Sequence, residues 1–234
     1  MERILARLTD VLITINREDF ERAKKFRTGK MVLVPGVGVD VLKFNVSNEV
    51  RGEIRKNLRF ELGIPLDAPV MLSVGEINEN KNHKVAIKAL PELDGLWYVI
   101  CGRGPLMDTH RALAERLGVS ERLIMPGFRD DVADFYNMAD VFVFPSLREG
   151  LPVALMEALA SELPVVCTRI RGSADLVREG ESGIFVPSDD PSKLAAAVKN
   201  VLLPAKKSKL PTVYSASSVE AVMKTVYGLG AEDN

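Results

Sequence analysis

Histidine is almost missing from this chain of 234 residues, where His83 and His110 are the only two. No Asp-x-Asp pair and no His/Cys/Asp/Glu set at metal-ligand spacing makes up for that scarcity, so no protein-held metal and no resident cofactor is expected. Cysteine is equally rare. Cys101 and Cys167 each fall inside an apolar, strand-like run, which excludes a disulfide framework and fits a reducing compartment. No charge of one sign dominates: 31 basic and 32 acidic residues leave a formal charge of −1, whereas a nucleic-acid binder carries a basic excess. No apolar run reaches the roughly 20 residues of a membrane span. The first residues lack a signal peptide's apolar stretch because Arg3, Arg7 and Asp10 interrupt them. These absences point to a cytoplasmic protein, and are compatible with a peripheral place at the inner membrane face. Walker-type Gly-Lys-Ser/Thr and a Ser/His/Asp nucleophile set are missing as well.

What is present is regular alternation. Short apolar runs at Asp10–Ile15, Met31–Val34, Val70–Val74, Trp97–Cys101, Arg122–Met125, Asp140–Phe144, Pro164–Cys167 and Gly183–Val186 read as strands. Helical spacing separates them at Arg17–Phe26 (with Asn16 as cap), Val50–Leu62, Lys81–Leu90, Leu106–Leu117, Val132–Asn137, Ala154–Ala160 and Ser192–Leu202. Pro105 is expected in the first turn of its helix. Strands apolar on both faces and joined through helices predict an α/β, doubly wound parallel sheet. Ligands of such sheets bind at the carboxyl ends of strands. The glycine- and proline-punctuated segments Gly75–Lys81, Gly102–Pro105, Gly127–Arg129 and Pro145–Pro152 fall there and are expected to meet on one edge.

The most informative segment runs from Glu149 through Gly-Leu-Pro-Val-Ala-Leu-Met to Glu157. It predicts one carboxylate on a loop above the sheet and a second a little over two turns down a helix. Between them lies a helix N-terminus with free N–H groups and partial positive charge, suited to a polyhydroxylated ligand bearing phosphates.

With these residues in place, the chain resembles the retaining family 4 glycosyltransferases. The resemblance rests on Pro35-Gly36-Val37-Gly38, Gly75…Lys81-Asn82, Cys101-Gly102-Arg103-Gly104-Pro105, Gly127-Phe128, Phe144-Pro145-Ser146, Glu149-Gly150-Leu151…Glu157, and Gly180-Glu181-Ser182-Gly183. It implies the nucleotide-sugar half of a GT-B fold, in which two Rossmann-like domains face across a cleft. It implies further that Lys81, with Gly75, binds the diphosphate and steadies the departing nucleotide. Glu149 approaches the donor sugar, with the Gly150 and Leu151 amides beside it, and Glu157 accepts from the ribose hydroxyls. Arg103 with Gly104 is either a second phosphate contact or an exposed turn arginine. Phe128 is either a wall of the base pocket or core, and Ser146 either bonds near the sugar or ends a strand. Glu76 departs from the pattern: many relatives carry arginine there, and a carboxylate repels phosphate. It is expected to pair instead with Lys81 or Arg103.

The resemblance divides the chain into residues 1–44, the end of an acceptor-side domain with its linker; 45–204, the nucleotide-sugar domain; and 205–234, a basic connector and a last amphipathic helix over Ser215–Leu229. The implied partners are a nucleotide sugar, most readily a UDP-sugar, an unknown acceptor, and either a second copy or an acceptor-domain partner; no nucleic acid is among them. Apolar faces at Ile4–Ile15 and Ser215–Leu229 are expected to lack cover. Polysaccharide or lipopolysaccharide assembly is the implied setting. The alternatives are a nucleotide-sugar-binding module without catalysis and, more remotely, an epimerase of related architecture.

Overall fold

The computed structural model describes residues 2–203 and 208–228, without the side chains of Glu2 and Arg3. In chain order the helices are α1 (Glu2–Leu5), α2 (Arg17–Ala23), α3 (Val41–Phe44), α4 (Asn48–Leu62), α5 (His83–Ala89), α6 (Met107–Arg116), α7 (Val132–Met138), α8 (Val153–Ala160), α9 (Arg171–Leu176), α10 (Pro191–Leu202) and α11 (Ala216–Tyr227). The strands are β1 (Val11–Thr14), β2 (Lys30–Leu33), β3 (Val70–Val74), β4 (Trp97–Cys101), β5 (Leu123–Gly127), β6 (Val141–Phe144), β7 (Val165–Thr168) and β8 (Gly183–Val186).

Six strands form one sheet in the order β5-β4-β3-β6-β7-β8, with every pairing parallel. Alternation along β6 explains why it reads as a continuous apolar run. Phe142 and Phe144 point into one core with Tyr136 and Leu155, while Val141 and Val143 point into the other with Ile87 and Leu194. Helices cover both faces, so the doubly wound α/β expectation holds. The chain winds outward from β3 through β4 to β5, then returns to lay β6 on the other side of β3. That reversal opens a crevice at the carboxyl ends of β3 and β6.

Local chemistry sets the helix ends. The Asn16 side chain accepts from the Asp19 amide, Ser47 from Val50, and Asp190 from Lys193. Gly63, at φ 69°, closes α4 in the left-handed region that only glycine enters freely.

Some expectations need correction. Helix α6 starts at Met107 behind Leu106, so Pro105 lies outside its first turn. Helix α5 starts at His83 rather than Lys81, because Asn82 adopts a left-handed backbone, φ 54°. Helices α1, α3 and α9 were not anticipated. Of the basic connector, Pro204–Lys207 lie outside the described residues; Ser208 and Leu210 are buried, with the Ser208 hydroxyl donating to the Leu163 carbonyl. Leu229 is also outside the described residues.

Strands β1 and β2 form a separate parallel pair. It rests against the larger unit through α9, where the Arg17 amide donates to Asp175 at 2.7 Å. Helix α11 returns to the linker, its Ala216 amide donating to the Val39 carbonyl at 2.9 Å. The expected lack of cover is found only in part: Ile4, Leu5, Leu8 and Ile15 are exposed, but the apolar face of α11 is covered, with Val219 buried and Val222, Met223 and Val226 half-buried.

Candidate functional site

Glycine brings two loops together. Gly75 and Gly102 end β3 and β4 with φ 146° and 153°, and a Cβ on Gly102 would collide with the Gly75 carbonyl. A Cβ on Gly104 would collide with the Ile77 carbonyl in the same way. The two turns therefore nest backbone against backbone, tied by Gly75 N–H to Cys101 and Ile77 N–H to Arg103, each 2.9 Å. The result is a cleft of about 600 Å³ lined by Gly75, Glu76, Gly102, Arg103, Phe128, Arg129 and Glu157, among others.

Phe128 is 65% exposed at this cleft, so it is not a core aromatic. Arg103 is exposed beside it, and a Cβ on Gly127 would lie 3.4 Å from its Nε. Arg129 is occupied: it donates twice to Asp131 and once to Glu61, at 2.6–2.8 Å. Arg103 forms no ion pair among the described residues, which leaves it as the unneutralised cation of the cleft. The expected pairing of Glu76 with Lys81 or Arg103 is not found. Its carboxylate takes the Asn78 amide at 2.9 Å, a local turn contact that satisfies it two residues away.

Glu157 reaches the cleft from α8. That helix begins at Val153, so the carboxylate stands about one turn along it, not two. The buried Tyr136 hydroxyl lies 2.9 Å from Glu157 Oε2 and 3.0 Å from the Ala154 carbonyl. Rings of Phe44 and Phe142 hold Tyr136 in place, with centroids 5.6 and 5.5 Å away. Burial raises the Glu157 carboxyl above its ordinary value, while the Tyr136 bond and Lys43 pull the other way. One oxygen is thus fixed by tyrosine and the other can accept from a ligand hydroxyl.

Glu149 and Lys81 lie at the crevice between β3 and β6. Lys81 Nζ meets Glu149 Oε1 at 2.8 Å, with 20% and 17% of the side chains exposed. Lys81 runs along Gly75, where an added Cβ would lie 3.2 Å from Lys81 Cε, and its ammonium sits 5.3 Å from the centre of the Phe144 ring. Asn80 donates to the Arg148 carbonyl at 2.9 Å and approaches Glu149 Oε1 at 3.5 Å. The amides of Gly150 and Leu151 form no hydrogen bond among the described residues and precede α8. Ser146 is fully buried, and its hydroxyl has no hydrogen-bond partner among the described residues. It therefore stands behind the crevice rather than on its surface.

Glu149, Lys81, Gly75, Arg103, Gly104, Phe128, Gly150, Leu151 and Glu157 thus share one sheet edge; Ser146 lies beneath it. Tyr136 and Asn80 take part as well, as does Arg171, whose Nε donates to the Glu149 carbonyl at 3.1 Å; none of the three is among the residues the sequence points to. Tyr136 carries no sequence signal beyond its place in an apolar helix. Among the described residues no group of three or more His, Cys, Asp or Glu is placed to hold a metal ion. No helix among them is long and apolar enough to cross a membrane.

Fold and edge together define a Rossmann-like domain of the GT-B type, with an acid-lined crevice at its switch point. Residues 54–214 match the family model described as glycosyl transferases group 1. The chain belongs to that family. It is 32% identical over 207 residues to the putative glycosyltransferase EpsD of Bacillus subtilis, covering 86% of this chain and 54% of that protein. It is 33% identical to the lipopolysaccharide core biosynthesis glycosyltransferase LpsE of Rhizobium meliloti, covering 72% and 52%. Among solved structures, sucrose-phosphate synthase from Thermosynechococcus elongatus superposes with a TM-score of 0.81 at 22% identity, over 97% of this chain and 60% of that one. Anabaena HepE in complex with UDP and glucose superposes with a TM-score of 0.77 at 19% identity, over 95% and 61%. The chain spans about half the length of the curated relatives it matches.

Proposed function

We propose that this chain is the donor-binding part of a retaining glycosyltransferase that moves a hexosyl group from a nucleoside diphosphate sugar, a UDP-sugar first among them. Residues 45–204 form the donor unit, residues 1–44 the end of an acceptor-side unit, and residues 205–234 the returning connector. The observation that carries this reading is the shared edge itself. A half-tethered carboxylate at Glu157 and an unneutralised cation at Arg103 line one cleft there, and the Lys81–Glu149 pair stands at the adjoining crevice, a set of groups suited to ribose, diphosphate and sugar.

In this reading Glu157 accepts from the ribose hydroxyls and Phe128 borders the base. Arg103, Lys81 and the Gly150 and Leu151 amides meet the diphosphate, while Glu149 accepts from a sugar hydroxyl. The bond from the anomeric carbon to the diphosphate oxygen breaks, and its electron pair stays on that oxygen. The acceptor hydroxyl forms the new carbon–oxygen bond on the same face, and its proton passes to the leaving phosphate. Lys81 stabilises the charge that develops there. The relative named for lipopolysaccharide core biosynthesis supports a setting in polysaccharide or lipopolysaccharide assembly, which we place at the cytoplasmic side of a membrane.

A second reading, a binding module without transfer, is favoured by the Lys81–Glu149 pair, in which the two central candidates neutralise each other. Calorimetry with UDP and UDP-sugars tests binding, which both readings require. Release of free UDP in the presence of acceptor mixtures separates them: turnover supports the transferase, and binding without turnover supports the module. Absence of binding by any nucleoside diphosphate overturns both.

A further inference from the structure

The Glu149 loop is held from both sides. Lys81 and Asn80 hold its carboxylate from the β3 side. On the other side Arg171, the first residue of α9, donates from Nε to the Glu149 carbonyl at 3.1 Å. The same guanidinium pairs through Nη1 with Asp19 Oδ1 at 2.9 Å. Asp19 belongs to α2, which packs on the separate β1–β2 pair. Its second oxygen takes the Asn16 amide at 2.8 Å, so its orientation is fixed within that unit.

Packing leaves the loop little freedom beyond these bonds. A Cβ on Gly172 would come within 2.5 Å of the Gly150 carbonyl, and a Cβ on Gly36 within 2.7 Å of Leu151 Cδ2. A Cβ on Gly150 would touch Ile15 at 3.5 Å. Residues 149–151 therefore lie between the large sheet on one side and Ile15 and Gly36 of the first unit on the other. Arg171 is the charged link that spans the two, with 28% of its side chain exposed against 33% for Asp19.

We infer that Arg171 is a positioning residue for the sugar end of the donor site, acting through the Glu149 backbone and anchored by Asp19. This rests on the donor reading given above. A planar guanidinium serves a carboxylate and a carbonyl at once from a rigid fork; an ammonium has three donors but no such fixed geometry, so it holds the two acceptors less firmly in place. The relay ties the placement of the Glu149 carboxylate to the placement of the β1–β2 unit. It does not touch the Glu157–Phe128 end of the cleft.

The test compares UDP with the tightest binder among UDP-glucose, UDP-galactose and UDP-N-acetylglucosamine, by calorimetry on the full chain. In Arg171→Gln, UDP affinity is expected to fall only a few-fold, because Arg103 and Lys81 still meet the diphosphate when the Gly150 and Leu151 amides shift, while the sugar-bearing ligand weakens about tenfold further, the scale of a small misplacement at a preorganised site. Arg171→Lys should recover part of that loss. Asp19→Asn, which leaves the Glu149 contact in place but removes its anchor, should show a smaller loss in the same direction. An equal loss for UDP and UDP-sugar would mark Arg171 as merely structural and overturn the relay, as would an unchanged ratio. If the unsubstituted chain binds neither ligand, the donor reading falls and the relay falls with it.

Discussion

Lys81 and Glu149 meet at 2.8 Å across the crevice between β3 and β6, although they lie on loops after strands that are not consecutive in the chain. A diphosphate entering this crevice competes with Glu149 for the ammonium. Two substitutions should therefore act in opposite directions on UDP binding. Lys81→Ala should weaken it by about 1–3 kcal/mol, the scale of a lost charge-assisted contact. Glu149→Gln frees Lys81 and should tighten UDP by about 1 kcal/mol while depressing sugar transfer. Calorimetry on both variants checks the pair; weaker UDP binding by Glu149→Gln would show that Glu149 does not hold Lys81 back.

Glu157 carries a pH signature. Burial raises its carboxyl above the ordinary value of 4.5. Between that value and the raised one, the folded chain binds more protons than the unfolded chain. This group's contribution to stability therefore declines as pH rises through the window. Ligand binding runs the other way, because a carboxylate that accepts two hydroxyl protons must be ionised. UDP affinity should fall as pH drops through the raised value, and more steeply than in Glu157→Gln, where only the ligand's own terminal phosphate still titrates. A titration of UDP binding against pH in both proteins reads the difference.

The two histidines predict acid sensitivity. His83 and His110 pack edge to face with centroids 6.1 Å apart, and Nδ1 of each has no hydrogen-bond partner among the described residues. Burial first, then the neighbouring His110 and Lys81, lowers His83 from 6.5 to about 3. His110 is lowered too, again chiefly by burial, with Glu79 opposing and Lys84 adding to the shift. Stability from these neutral rings is complete above pH 6.5 and is lost as pH falls toward 3. The urea midpoint should decline over this range, and His83→Leu should flatten the decline because it removes a proton site without adding an unpaired polar group.

Backbone nesting makes Gly102 intolerant. At φ 153°, with the Gly75 carbonyl in the place of a side chain, Gly102→Ala must separate the β3 and β4 loops. A loss of about 3 kcal/mol or more is expected, together with loss of UDP binding. Gly52→Ala, at a helical position with no atoms near an added Cβ, is the control and should not be destabilising. Thermal melts of the two variants decide the matter.

Strands such as β6 were legible because burial on both faces leaves an uninterrupted apolar run. The glycine turns were legible because few residues other than glycine can take their place. Helix α9 was not, since Gly172 and Ser173 in its first turn are poor helix formers and six residues are too few to show apolar periodicity. The approach of Lys81 to Glu149 depends on β6 returning beside β3, a choice of strand order that spacing along the chain does not encode. Tyr136 was overlooked because an aromatic in an apolar helix looks the same whether its hydroxyl meets water or Glu157. Phe128, open to either reading from its neighbours alone, proved exposed because β5 ends at Gly127 and the chain leaves the sheet there.

The reversal of strand order at β3 has an architectural corollary. Everything proposed to meet a base or ribose hangs from the β5 end or from Glu157, whereas the Glu149 loop is braced by β7's successor, α9, and by the β1–β2 pair. Selectivity for the two extremities of one ligand is then lodged in different blocks of the molecule. On the proposed donor reading, substitutions around Arg171 and Gly172 would retune which sugar is accepted while leaving the nucleoside grip intact, so variation in donor sugar would arise without rebuilding the rest of the edge.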